Sequence, residues 1–314
     1  MTLPKLSENQ IKEVFIAAEI GVPKQISKLG VGFSNDVYSI DDTYIFKAIR
    51  DEEDEIYLKK EIYLCGLFQN KLPVPVIAYS DTNKLALDRG YVIYEKIKGD
   101  NLYMRWHEYS VDERKAVVKQ ICSYLRIINE TPYQEFAANF GIDTTALWRN
   151  RMMANIEEHA AKAIMKGGIE PGFVHEIRKY VEENAQVLDE SKTALTYYDV
   201  HFDNFIVRDM EVVGMLDFER TDIRSAEYVL DVVQRMVNEP MKYASEAAEP
   251  LIRPEDYADL MEWYREFYPE LFSFNKLGTR LALYAIDHDL EQLFWWPESE
   301  SLKASLAKTI AESK

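Results

Sequence analysis

Cysteine is scarce: the 314-residue chain holds two, Cys65 and Cys122. Two cannot build a disulfide framework, so both are expected to be buried reduced thiols. Long apolar runs are missing as well. No stretch approaches the ~20 consecutive apolar residues of a membrane-spanning helix. The opening MTLPKLSENQIKEVFIAAEIG has acidic and polar residues where a secretory leader needs an apolar run. The expected address is cytoplasmic, with no membrane partner. Histidine is thinly spread. His107, His159, His175 and His288 are scattered, and His201 has no second His or Cys nearby, which leaves zinc short of ligands. Positive charge is also short: 37 Lys and Arg face 54 Asp and Glu, a net of −17. A nucleic-acid partner needs a basic stripe against its phosphates and is excluded on that ground.

What is present is the balance of a globular protein, 47% hydrophobic and 29% charged, long enough for one large domain or two smaller ones. The charge is unevenly placed. Residues 1–98 carry 13 basic and 15 acidic side chains, whereas residues 99–314 carry 24 and 39. Solubility explains that excess as readily as a surface that attracts a cationic ligand. Ser7 and Gln10 fit a capping box opening a first helix, with Gly21 as its stop. From 26 to 49 the texture turns to β, ending in YIFKAI; residues 53–69 return to helical spacing, and PVPVIAYS, KLALD and YVIYEKI give further strand signals up to Gly99. Beyond it the spacing predicts a long amphipathic helix over 111–130 and more helices near 147–166, 171–188, 226–238, 255–267, 276–293 and 300–313. There is no internal repeat. The expected class is α+β, with a β-rich first part over residues 1–98 and a mainly helical part over 99–314.

One stretch interrupts the helices: TYYDVHFDNFIVRDMEVVGMLDFER, residues 196–220. FIV and VVGML read as a small hairpin joined through RDME. Asp199 and Asn204 precede the first strand and Asp217 follows the second, so the hairpin brings all three to one rim. A carboxylate and a carboxamide facing one point suit a hard cation such as Mg²⁺, which keeps waters and substrate phosphates as its other ligands. Asp199 is then free to orient a nucleophile. Each of these residues alone reads as turn chemistry; the three at this spacing read as a site.

The stretch resembles the catalytic and metal-binding segments of the aminoglycoside phosphotransferase and choline kinase-like family, which has a two-lobed protein-kinase-like fold. The family loop His-Gly-Asp-Leu-His-x-x-Asn, followed by Ile-Asp-Phe or Ile-Asp-Trp, implies Asp199 as catalytic residue and Asn204 and Asp217 as metal ligands. Two departures stand out: Tyr197–Tyr198 replace the first His-Gly, and Arg224-Ser225-Ala226 stand where the family often has Gly-Asp-Pro.

The resemblance makes demands upstream. LGVGFSNDVY supplies a glycine-containing turn, so Gly30, Gly32 and Ser34 are candidates to cover phosphates. Lys47 lies in an otherwise buried strand and needs a partner; Glu61, in the next helix, resembles the family's pairing Glu. YVIYEKIKG resembles the segment joining the lobes, where the carbonyl of Glu95 and the N–H of Ile97 would meet adenine. The implied activity is phosphoryl transfer from ATP or GTP, with Mg²⁺, to a hydroxyl of a small, cationic acceptor. Candidate acceptor carboxylates are Asp203, Glu239, Asp287 and Glu291, although a solvated helix face is the better explanation for each. The alternatives are a metabolite kinase of the amino alcohol, sugar or homoserine type, and a nucleotide-binding pseudokinase acting by interaction.

Overall fold

The computed structural model describes residues 3–29 and 35–311. In chain order the elements are α1 (Glu8–Ala17), β1 (Ile26–Lys28), β2 (Asn35–Ile40), β3 (Tyr44–Ile49), α2 (Glu55–Phe68), β4 (Ile77–Asp81), β5 (Tyr91–Glu95), β6 (Asp100–Asn101), α3 (Leu102–Trp106) and α4 (Val111–Glu130). There follow α5 (Gln134–Phe140), α6 (Trp148–Met165), α7 (Pro171–Asn184), β7 (Thr193–Thr196), β8 (Phe205–Arg208), β9 (Glu211–Met215) and β10 (Asp222–Ser225). The chain closes with α8 (Val229–Asn238), α9 (Leu260–Phe267), α10 (Leu277–Trp295) and α11 (Glu300–Ala311). This is a mixed α+β chain, an antiparallel sheet followed by mostly helices. Among the described residues no helix is long and apolar enough to cross a membrane.

By packing, the chain forms two compact units. The first comprises residues 1–124, 199–221 and 240–257; the second comprises 125–198, 222–239 and 258–314.

In the first unit five strands pair antiparallel in the order β1-β2-β3-β5-β4. Successive side chains of a strand point to opposite faces, and β3 uses both. Phe46 and Ala48 join α1 (Ile11, Val14, Phe15) and Tyr91 and Ile93 of β5 in one apolar cluster. Lys47, between them, faces the other way, toward α2. The α1 helix opens with the expected capping box, Gln10 N–H donating to Ser7 Oγ (3.3 Å) and Ser7 N–H to Gln10 Oε1 (3.0 Å). The strand expected at KLALD is absent: the Asp81 carboxylate accepts the N–H groups of Asn83, Leu85 and Ala86, so this backbone bonds a side chain instead of a ladder. The segment leaving β5 runs beside β8, where a Cβ on Gly99 would lie 2.7 Å from the Val207 carbonyl oxygen.

The second unit holds a two-stranded ladder, β7 with β10, that the sequence pattern did not signal. Around it the helices bury linked polar side chains. The Asp287 carboxylate takes His159 Nδ1 at 2.8 Å and the Tyr228 hydroxyl at 3.0 Å. Asp231 accepts from Arg235 and pairs with His288, both at 2.9 Å, and Arg235 reaches on to Asp289. Glu227 takes Arg280, Tyr284 and Ser225.

Candidate active site

The hairpin read from the sequence forms: β8 and β9 pair antiparallel, and the turn residues Asp209 and Met210 both take positive φ, as tight hairpins require. One further backbone bond, Leu216 N–H to the Asn204 carbonyl (2.8 Å), carries the pairing past the strands. Asn204 and Asp217 therefore stand at the same end of the hairpin. Asp217 adopts a left-handed conformation (φ 58°), rare outside glycine and tolerated best by Asn and Asp. It redirects the chain into a tight turn over 218–220, which Phe218 anchors against Phe68 of α2 (ring centroids 6.1 Å).

That turn aims two carboxylates at β3. Lys47 Nζ lies 2.7 Å from Glu61, 2.9 Å from Glu219 and 3.3 Å from Asp217. Burial works to strip Lys47 of its proton, but the charges of Asp217, Glu219 and Glu61 outweigh it and hold its pKa well above the ordinary value. Burial raises Glu61 and Asp217, the latter to about 7, against the pull of Lys47. Glu219 ends below its usual value, because Lys47 overrides its burial. Glu219 is not among the site residues expected from the sequence. It bonds both Lys47 and the Nδ2 of Asn35, a residue just past the glycine-containing sequence at 30–34. Its signal was the two-residue spacing from Asp217, which a single tight turn converts into one shared face.

The loop carrying Asp199 is braced by its own side chains. Asn204 Nδ2 donates to the Asp199 carbonyl (2.8 Å) and lies 3.2 Å from His201 Nε2, which leaves the amide oxygen as the atom a cation would meet. His201 Nε2 also lies 3.3 Å from the Asp199 carboxylate. Burial opposes a charge on His201, but Asp199 raises its pKa above the usual value. The oxygens of Glu61, Asp217 and Glu219 fall within 4.8 Å of one another. Lys47 already takes Glu61 and Glu219, so the hard oxygen donors that suit Mg²⁺ are the Asp217 carboxylate and the Asn204 amide.

The other expected site residues are placed as follows. Gly30, Gly32 and Ser34 lie outside the described residues. Glu95 closes β5 and gives its N–H to the Val76 carbonyl, and the Ile97 side chain abuts Gly214 of the hairpin. Asp203 is half-buried on the loop, its pKa raised by burial. In the second unit Glu239 is exposed and Glu291 half-buried, while Asp287 is buried between His159 and Tyr228. The two departures from the motif also meet there: the Arg224 guanidinium stacks on the rings of Tyr198 (4.3 Å) and Tyr228 (4.4 Å).

A family model for the phosphotransferase enzyme family (APH) matches residues 25–228, from β1 past the hairpin and its acidic turn. This chain belongs to the phosphotransferase enzyme family. The structures of known members agree on the fold. The GDP complex of wild-type aminoglycoside 2'-phosphotransferase-IIIa superposes with a TM-score of 0.72 at 16% identity, covering 99% of this chain and 100% of that one. The ternary complex of APH(2")-IIa with streptomycin and ATP gives 0.68 at 14%, over 98% and 97%. A thermostable mutant of aminoglycoside phosphotransferase APH(4)-Ia, with AMP-PNP and hygromycin B, gives 0.65 at 14%, over 95% of each chain. Identities this low carry the kinase-like fold of the family and nothing of the acceptor. Among curated protein sequences none matches the chain.

Proposed function

We propose that this phosphotransferase moves the γ-phosphoryl group of ATP or GTP to a hydroxyl of a small molecule. The observation that supports this most is the Lys47 ammonium gripped by Glu61, Asp217 and Glu219 in the same compact unit as the Asp199–Asn204 loop. Lys47, oriented by Glu61, contacts the α- and β-phosphates. The glycine-containing segment 30–34 covers the phosphates, and the Glu95 carbonyl and Ile97 N–H take the adenine edge. Asn204 and Asp217 would hold Mg²⁺, which supplies charge neutralisation for the transferring group when bound. Asp199 orients the acceptor hydroxyl and accepts its proton late, since a loose transition state needs little activation of the nucleophile. His201 keeps the Asp199 carboxylate turned to that task. Residues 1–98 then act as the nucleotide-binding part and 99–314 as the part carrying the catalytic loop and acceptor contacts.

The acceptor in this reading is cationic, drawn by the net charge of −17. Of the candidate carboxylates, Asp203 lies on the loop in the same unit as Asp199, whereas Glu239, Asp287 and Glu291 belong to the second unit.

The test is Mg²⁺-dependent release of ADP and GDP across aminoglycosides, amino alcohols and sugars, with Asp199→Asn as control. Release stimulated by a cationic acceptor and lost in the variant is the expected result. Release that persists undiminished in Asp199→Asn would remove that residue from the role. Stimulation by neutral sugars alone would replace the cationic acceptor.

A further inference from the structure

The segment 240–257 belongs to the same compact unit as the catalytic loop, although residues 222–239 and 258–314 do not. It grips that loop with two rings. Tyr257 is buried against Phe202 (5.7 Å between centroids), Trp106 (6.0 Å) and Tyr103 (6.3 Å). Trp106 Nε1 donates to the Asp256 carbonyl, and Arg114 pairs with the Asp256 carboxylate at 2.7 Å. At the other end Tyr243 lies over His201, its ring 4° from parallel and 5.4 Å away.

The two contacts differ in what stands behind them. Behind Phe202 there is aromatic packing. Behind His201 there is the Asp199 carboxylate, 3.3 Å from Nε2, and the Asn204 amide, 3.2 Å from the same atom. The torsion that swings an imidazole about its Cβ–Cγ bond is broad, so contacts at one edge leave the ring free to rock. A parallel ring across its face removes that freedom and keeps Nε2 on Asp199.

We propose that Tyr243 is a positioning residue for the transfer: stacked on His201, it fixes the imidazole edge against the Asp199 carboxylate and so sets the direction from which that carboxylate meets the acceptor hydroxyl. The inference rests on the reading of Asp199 as the residue that receives the proton. Tyr243 acts through His201, and its hydroxyl is not required.

The experiment compares full-length Tyr243→Ala and Tyr243→Phe, alone and combined with His201→Gln. The first readout needs no acceptor: the ¹H–¹⁵N signals of the His201 imidazole, assigned by their loss in His201→Gln. Tyr243→Ala is expected to shift and broaden them, while Tyr243→Phe leaves them in place. The second readout is ADP release from Mg²⁺–ATP, with water or a responding panel compound as acceptor. There kcat should fall about threefold to tenfold in Tyr243→Ala, the population one ring stack can hold. The KM for ATP should stay within twofold, Tyr243→Phe should restore kcat, and adding Tyr243→Ala to His201→Gln should cost nothing further. A His201 signal indifferent to Tyr243→Ala, or losses that simply add, would overturn the proposal. If Asp199→Asn still turns over while the His201 signal responds, the assignment of Asp199 is at fault and the ring contact stands.

Discussion

The Lys47 cluster of the first unit and the buried ions of the second are built in opposite ways. In the first, three carboxylates, Glu61, Asp217 and Glu219, share the Lys47 ammonium. In the second, cations and donors match the buried carboxylates: Glu227 meets Arg280, Asp231 and Asp289 share Arg235 with His288 also on Asp231, and Asp287 meets His159 and Tyr228. Paired burial fixes a shape, whereas burial with negative charge in excess weakens the fold and suits a place where a cation and a polyphosphate act. The comparison teaches which buried ions to connect with turnover and which with stability.

The largest effect is expected on the first side. Asp199→Asn should lower kcat by about 10²- to 10⁴-fold, the usual worth of a positioned acid–base group, with little change in melting temperature. A melting temperature that collapses along with kcat would erase the contrast. On the second side, Arg280→Met strands Glu227 without its guanidinium, and urea unfolding should register a loss of about 3–5 kcal/mol. Should that variant prove as stable as the parent, the second unit's ions would not be the fold's framework. A ligand sharpens the comparison further. Mg²⁺–ADP at about 100 times its Kd should stabilise the protein by about 2.7 kcal/mol, and Asp217→Asn should erase most of that gain while leaving the ligand-free melting point near its parent value.

The smallest effect concerns pH. Burial lowers the His159 pKa, but the hydrogen bond and charge of Asp287 reverse this and raise it above 6.5. A folded value above the unfolded one stabilises fully below pH 6.5 and is lost as pH climbs through the folded value. His159→Gln should therefore melt furthest below the parent at pH 5.5, and the gap should narrow by pH 9. A gap that widens with pH would reverse the sign of this pair.

The hairpin, helix α4 and the capping box were legible because each repeats a short-range rule over enough residues to be seen. Lys47 stood out as a charge in an apolar strand, and Asp199, Asn204 and Asp217 as oxygen donors at hairpin ends. Other features are not written locally. The strands Thr193–Thr196 and Asp222–Ser225 are four residues each and find one another across more than 20 residues. KLALD has a strand's alternation, yet the Asp81 carboxylate decides its backbone. Glu219 is not singled out locally, because its partner Lys47 lies 172 positions away. Tyr243 offers no pattern at all, since only the folded path of residues 240–257 sets it on His201.

The distance between partners also sets an order of events in time. As the chain leaves a ribosome, Lys47 and Glu61 emerge 14 residues apart, while Asp217 follows 170 positions after Lys47. At ordinary synthesis speeds that gap lasts roughly 10–30 s. For that interval the lysine has one acidic partner and Phe68 lacks its cover from Phe218, so the nascent sheet presents an unfinished face. The last piece of the first unit, ending at Tyr257, arrives later still. The cluster around Lys47 is thus completed late, although its first residues are among the earliest made.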